Sequence, residues 1–130
     1  MKQKIILVVE DNPDIRMLIL MTLDFVEFEI HEADNGPTGL RLARALKPDL
    51  VLLDVMMPGE LDGYQVCEAI KSDPALSAVS VVMLTARGQQ ADLLAGEKAG
   101  CDAYLTKPFS PLELIDTVEG MLARTANAAG

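Results

Sequence analysis

The sequence predicts an α/β domain built around an open parallel sheet, and three observations carry that prediction. Short apolar runs alternate with helix-patterned segments at a steady rhythm, which indicates repeated βα units. At 130 residues, half of them apolar, the chain is most simply one domain, large enough to bury roughly two-thirds of its unfolded surface. Four short polar segments also follow four of the apolar runs: Glu10-Asp11, Asp54, Thr85 and Lys107-Pro108. In a parallel sheet the strand C-termini share one edge, where ligands bind, so these distant residues should meet there.

The first strand covers Lys4 to Val9, apolar from Ile5 onward. Asn12 caps the next helix, and Pro13 takes the first helical position, where no N–H is needed. Ile15, Leu18, Ile19, Thr22 and Leu23 recur at helical spacing as its core stripe. The second strand is Glu27 to Ala33. The second helix runs from Asn35 to Leu46 and ends at Lys47-Pro48, because a residue before proline disfavours helical backbone. Leu50 to Leu53 is the third strand. The loop Met56 to Leu61 leads to a helix capped by Asp62, with Gln65 completing a capping box. The fourth strand is Val79 to Leu84. A weaker helix follows over Gln89 to Ala99, where Gly96 lowers the propensity by about 1 kcal/mol relative to alanine. Ala103 to Thr106 is the fifth strand. Ser110-Pro111-Leu112-Glu113 opens the last helix with a second capping box, and Leu114, Ile115, Val118, Met121 and Leu122 face the core. The domain is expected over residues 1–124, with a frayed tail over 125–130.

The longest apolar runs are about five residues, far below the ~20 that span a bilayer. The apolar run after Met1-Lys2-Gln3-Lys4 is too short for a signal peptide. The chain therefore reads as soluble and cytoplasmic, with no membrane partner. Cys67 and Cys101 show no metal-ligand spacing and are expected as thiols rather than a disulfide. A formal charge of −9 argues against direct nucleic-acid binding, which needs a basic face.

Glu10, Asp11 and Asp54 stand at strand ends rather than on helix surfaces, so solubility does not account for them. Crowded carboxylates repel, and a divalent cation with the Lys107 ammonium would keep them ionised. Their oxygens suit a hard cation such as Mg2+. A lysine and a hydroxyl beside such a cluster suit a phosphoryl group.

Four segments, in this order and spacing, resemble the receiver domain of two-component response regulators, of the chemotaxis-regulator-like single-domain kind. They are Val8-Val9-Glu10-Asp11-Asn12, Leu52-Leu53-Asp54-Val55-Met56-Met57-Pro58-Gly59, Leu84-Thr85-Ala86 and Tyr104-Leu105-Thr106-Lys107-Pro108-Phe109. The match covers about residues 4 to 123. The resemblance implies a flavodoxin-like, doubly wound, five-stranded parallel sheet in the order 2-1-3-4-5, with helices on both faces.

It also implies a signalling switch rather than an enzyme, capable only of self-phosphorylation from a donor and self-dephosphorylation. Asp54 is the implied phosphoacceptor. Asp11, Asp54 and the backbone carbonyl of Met56 are the implied ligands of Mg2+, or of Mn2+ in its place, with Glu10 acting mainly through a metal-bound water. Lys107 and the metal would each neutralise one phosphoryl oxygen, while the Thr85 hydroxyl and the Ala86 N–H hold a third. Such transfer depends mostly on positioning and charge neutralisation, so few residues suffice. Thr85 would move toward the phosphoryl group and Tyr104 would follow, biasing the face formed by the fourth helix, fifth strand and fifth helix. The Lys107–Pro108 bond is expected to be cis. Met56 and Arg87, two residues after Asp54 and Thr85, would flank the phosphoryl group and tune its hydrolysis.

The implied donor is a histidine kinase or a histidine phosphotransfer protein. The implied recipient is a downstream protein or an output domain outside this sequence, and phosphorylation-dependent homodimerisation fits the same scheme. Helix 1 carries Met17, Leu20 and Met21 outside its core stripe, so it is apolar nearly all round and should bury a second face. Flexible methionines suit adaptable interfaces, and Arg16, Met17, Leu20 and Met21 are the expected docking residues for the donor. Two features depart from the family pattern: Glu10 replaces the first of two aspartates, and the loop before Asp62-Gly63 is one residue longer than usual. A Mg-dependent aspartate-nucleophile phosphatase would want an acid where Met56 stands. A flavodoxin-like cofactor binder would want a Gly/Ser/Thr-rich loop where Glu10-Asp11-Asn12-Pro13 stands. An unphosphorylated receiver-like binding module would not need the full acceptor set.

Overall fold

A computed structural model of the chain describes residues 4–24, 28–57, 59, 61–86 and 100–129. Five strands, β1 (Lys4–Val9), β2 (Phe28–Ala33), β3 (Leu50–Asp54), β4 (Ser80–Ala86) and β5 (Ala103–Lys107), form one sheet in the order β2-β1-β3-β4-β5. Every pairing is parallel. The chain leaves β1 toward one side of the sheet and returns to β3 on the other, so the order reverses between them. A reversal of this kind opens a crevice at the strand C-termini.

Residues alternate across the sheet. Leu7, Val9, Val51, Leu53, Val81 and Met83 pack with α2 (Gly36–Leu46) and α3 (Gly63–Ser72). Ile6, Val8, Leu50, Leu52, Val82 and Leu84 pack with α1 (Pro13–Leu23) and a C-terminal helix (Pro111–Ala129). Helices thus cover both faces, which is why the central strands β1, β3 and β4 read as nearly unbroken apolar runs rather than as alternating ones. The expected caps form. Asn12 Oδ1 accepts from Asp14 and Ile15 N–H at 2.9 and 3.1 Å, and Asn35 Oδ1 accepts from Thr38 N–H at 2.8 Å. The Asp62/Gln65 capping box closes with two 2.9 Å bonds, and Ser110/Glu113 forms the second. At the far edge of the sheet, Asp49 and Asp102 carboxylates pin the starts of β1 and β4 by accepting from Ile5 and Val81 N–H at 2.8 and 2.7 Å.

Several boundaries differ from the sequence reading. β3, β4 and β5 run on through Asp54, Ala86 and Lys107, because Asp54 pairs with Leu84 and Ala86 with Lys107. Backbone pairing does not require apolar side chains, so the ladder outlasts the apolar runs. Val79 drops out of β4 and bonds back to the Leu76 carbonyl at 3.0 Å. Helix α1 buries Ile19 and Leu23, packs Ile15 and Leu20 partly against the core, and leaves Leu18 exposed. The C-terminal helix is assigned to Ala129; Ala126, Ala128 and Ala129 favour helix, and no breaker intervenes. Cys67 and Cys101 are not joined in a disulfide. No helix among the described residues is long and apolar enough to cross a membrane. Glu27, Pro58, Glu60, Arg87 and the expected helix over 89–99 lie outside the described residues.

Candidate functional site

The crevice at the sheet reversal gathers the polar strand-end residues. Asp54 closes β3 and is almost fully buried. Its Oδ1 accepts from the Met56 N–H at 3.2 Å and lies 3.2 Å from Lys107 Nζ, which arrives from the end of β5. Glu10, just past β1, has no exposed surface. Its N–H donates to the Ala33 carbonyl at 3.0 Å, and its Oε2 accepts from the Asn12 N–H at 3.2 Å. Its buried Oε1 sits 2.7 Å from Lys107 Nζ as an ion pair. Each of Glu10, Asp11 and Asp54 offers one carboxylate oxygen within 4.8 Å of the other two.

The electrostatics follow from that crowding. Burial, followed by the hydrogen bonds and charge of the neighbouring acids, pushes the Asp54 carboxyl up to about 8, against the pull of Lys107. Partial burial would raise Asp11 too, but its hydrogen bonds to Asp54 and Glu10 and the Lys107 charge hold it below the usual carboxylate range. Burial alone would depress Lys107; Glu10 and Asp54 outweigh it and raise the ammonium instead.

Glu10, Asp11, Asp54 and Lys107 therefore meet as the sequence leads one to expect. Thr85 is buried one residue past Leu84, the partner of Asp54, and Ala86 pairs with Lys107 itself. Tyr104 pairs with Met83 and packs half-buried on the α2–α3 side, the sheet face that Thr85 shares by alternation. The Lys107–Pro108 bond is cis. Met56 reaches Asp54 through its N–H while its side chain is 62% exposed.

The docking set does not present itself as one surface. Met17 and Met21 are 62% and 70% exposed, whereas Leu20 packs on the core. Arg16 is turned inward, its Nη1 bonding the Glu10 carbonyl at 2.8 Å and its Nε bonding Glu32 Oε1 at 2.9 Å. The exposed apolar surface passes instead through Leu18 to a cleft of about 250 Å³ lined by Ile15, Leu18, Lys107, Pro108 and Phe109.

One positional residue escaped the sequence reading. Gly63 opens α3, and a Cβ there would collide with the Asp54 carbonyl oxygen and the Val55 Cα. A glycine directly after the helix-capping Asp62 was the available signal.

The family described as the response regulator receiver domain matches residues 6–119. A DNA-binding dual master transcriptional regulator from Synechocystis is 39% identical over 92% of this chain and 49% of its own length. The chain thus spans about half the length of the curated relatives it matches. The crystal structure of a response regulator from Chloroflexus aurantiacus superposes with a TM-score of 0.88 at 33% identity, covering 94% of this chain and 99% of that one. The receiver domain of a sensor histidine kinase from Pseudomonas aeruginosa, solved with a magnesium ion coordinated in its active-site cleft, gives 0.85 at 30% identity with the same coverage. Sheet order, matched residues and relatives agree, and the chain belongs to the response regulator receiver domains, the signalling domains of two-component systems.

Proposed function

We propose that this chain is a phosphoryl-accepting switch in which Asp54 is the acceptor. One observation carries the reading: a buried carboxylate at the sheet reversal lies 3.2 Å from an ammonium and against two further acids. An Asp54 oxygen attacks the phosphorus of a phosphohistidine on a histidine kinase or phosphotransfer protein. The new P–O bond forms as the P–N bond breaks, and the electron pair returns to the imidazole nitrogen. Lys107 neutralises charge on the transferred group, and Thr85 and the Ala86 N–H are placed along the same edge to hold its remaining oxygens.

The carboxylates fit a hard divalent cation. Three oxygens lie within reach of one another, two of them on buried carboxylates, with the Lys107 ammonium beside them. Glu10, Asp11 and Asp54, with the Met56 carbonyl, would hold Mg2+, or Mn2+ by the same oxygen chemistry. When bound, the ion supplies positive charge that offsets both the carboxylates and the incoming phosphoryl oxygens. The magnesium in the cleft of the Pseudomonas relative supports this assignment.

The donor docks on the exposed Met17 and Met21 face of α1 and on the adjoining cleft at Leu18 and Phe109. Thr85 and Tyr104, on one sheet face, link the acceptor edge to β5, through which a downstream protein or an output domain outside this sequence is controlled. That the Synechocystis relative is a DNA-binding transcriptional regulator supports the output-domain route.

Incubation with Mg2+ and acetyl phosphate should add one phosphoryl group that hydroxylamine removes, as expected of an acyl phosphate. Asp54→Asn should abolish it. Normal labelling of that variant would refute the assignment.

A further inference from the structure

We propose that Arg16 is a positioning residue, which holds the carboxylate-bearing turn after β1 by its backbone. The inference rests on the metal-assisted reading above. Residues 10–12 supply two of the three clustered carboxylates, so their placement decides whether the cluster forms. The Glu10 N–H is held by β2 through the Ala33 carbonyl at 3.0 Å. The Glu10 carbonyl is held by Arg16 Nη1 at 2.8 Å. The same guanidinium bonds Glu32 Oε1 at 2.9 Å, and Glu32 directly precedes Ala33 on β2. Both backbone polar groups of Glu10 are thus tied to adjacent residues of the edge strand, its N–H directly and its carbonyl through Arg16.

The chemistry suits arginine. Its planar fork serves a carbonyl and a carboxylate from fixed directions, whereas a lysine ammonium is a single point on a flexible stem. The Arg16 side chain is only 19% exposed, while Glu32 is 50% exposed. An ion pair that open contributes little stability by itself; its effect is to aim the guanidinium. Without the guanidinium, the Glu10 carbonyl loses this partner and the turn can swing, carrying the Glu10 and Asp11 oxygens away from Asp54.

The test measures Mg2+ affinity by calorimetry, and hydrogen exchange of the Glu10 and Asn12 amides in metal-free protein. Groups that orient metal ligands are typically worth 10–100-fold in affinity, so Arg16→Gln should weaken Mg2+ binding about ten-fold. It should also speed exchange at Glu10 and Asn12 while Val82, in the central sheet, keeps its protection. Arg16→Lys should fall between, and Glu32→Gln, which only loosens the aim, should cost roughly two-fold. Wild-type exchange at both amides in Arg16→Gln would overturn the proposal, as would equal acceleration throughout the sheet. Asp11→Ala separates the two readings. If it keeps full Mg2+ affinity, the metal assignment fails, and the exchange at Glu10 and Asn12 still decides the role of Arg16.

Discussion

Asp54→Asn should stabilise the metal-free protein even as it removes the phosphoacceptor. The Asp54 carboxyl titrates at 3.8 when unperturbed, and its burial among Glu10 and Asp11 pushes it up to about 8. Between those values the folded protein keeps a proton that the unfolded chain has released. This contribution to stability is fully present below pH 3.8 and is lost as pH rises to about 8. At 1.36 kcal/mol per unit, the cost at pH 7 is bounded at about 4 kcal/mol. The pairing with Lys107 and water entry at the crevice reduce it, and about 2 kcal/mol is the expected magnitude. An asparagine is neutral at every pH. Its Oδ1 can keep the Met56 and Lys107 partners that now lie at 3.2 Å, and its amide can donate to the acids beside it. Thermal unfolding in EDTA should show the variant higher by roughly 6–10 °C at about pH 8.5 and nearly level with wild type at about pH 4.5. Adding Mg2+ should narrow the gap, because an ion that binds the native wild type stabilises it by mass action. A variant no more stable than wild type in EDTA at the higher pH would refute the account of Asp54 as a crowded, buried carboxyl.

Gly63→Ala should destabilise by about 2–3 kcal/mol, because the added methyl must displace the backbone of Asp54 and Val55. A lower urea midpoint at unchanged slope, with slower acetyl-phosphate labelling, is the expected result; wild-type values for both would show that α3 does not constrain the acceptor. Met17→Lys with Met21→Lys should slow transfer from the cognate phosphohistidine donor on the order of ten-fold, the size of one interface anchor, and leave acetyl-phosphate labelling intact. Equal losses with both donors would mean damage to the fold and would remove α1 as the docking face.

The sequence by itself determined the architecture and the membership of the polar cluster. The central strands β1, β3 and β4 were legible because they are apolar on both sides, as a doubly covered sheet demands. The helix starts were legible because Asn12, Asn35, Asp62 and Ser110 bond to N–H groups two or three residues away. The cluster was legible because every parallel strand ends at the same edge, so Glu10-Asp11, Asp54, Thr85 and Lys107 had to share it. All of these depend on neighbours close in the chain or on the direction of strands.

Only the tertiary structure decided the rest. Periodicity could not choose between Leu18 and Leu20, because both flank the buried line of α1 and only the docked orientation of that helix breaks the tie. Arg16 was expected among the docking residues, yet it faces a backbone carbonyl, which leaves no trace in residue types. The raised Asp54 and the lowered Asp11 are equally invisible in the chain. The energy of a charge varies with its distance to others and with the water around it, and those distances are set by packing among residues more than forty positions apart.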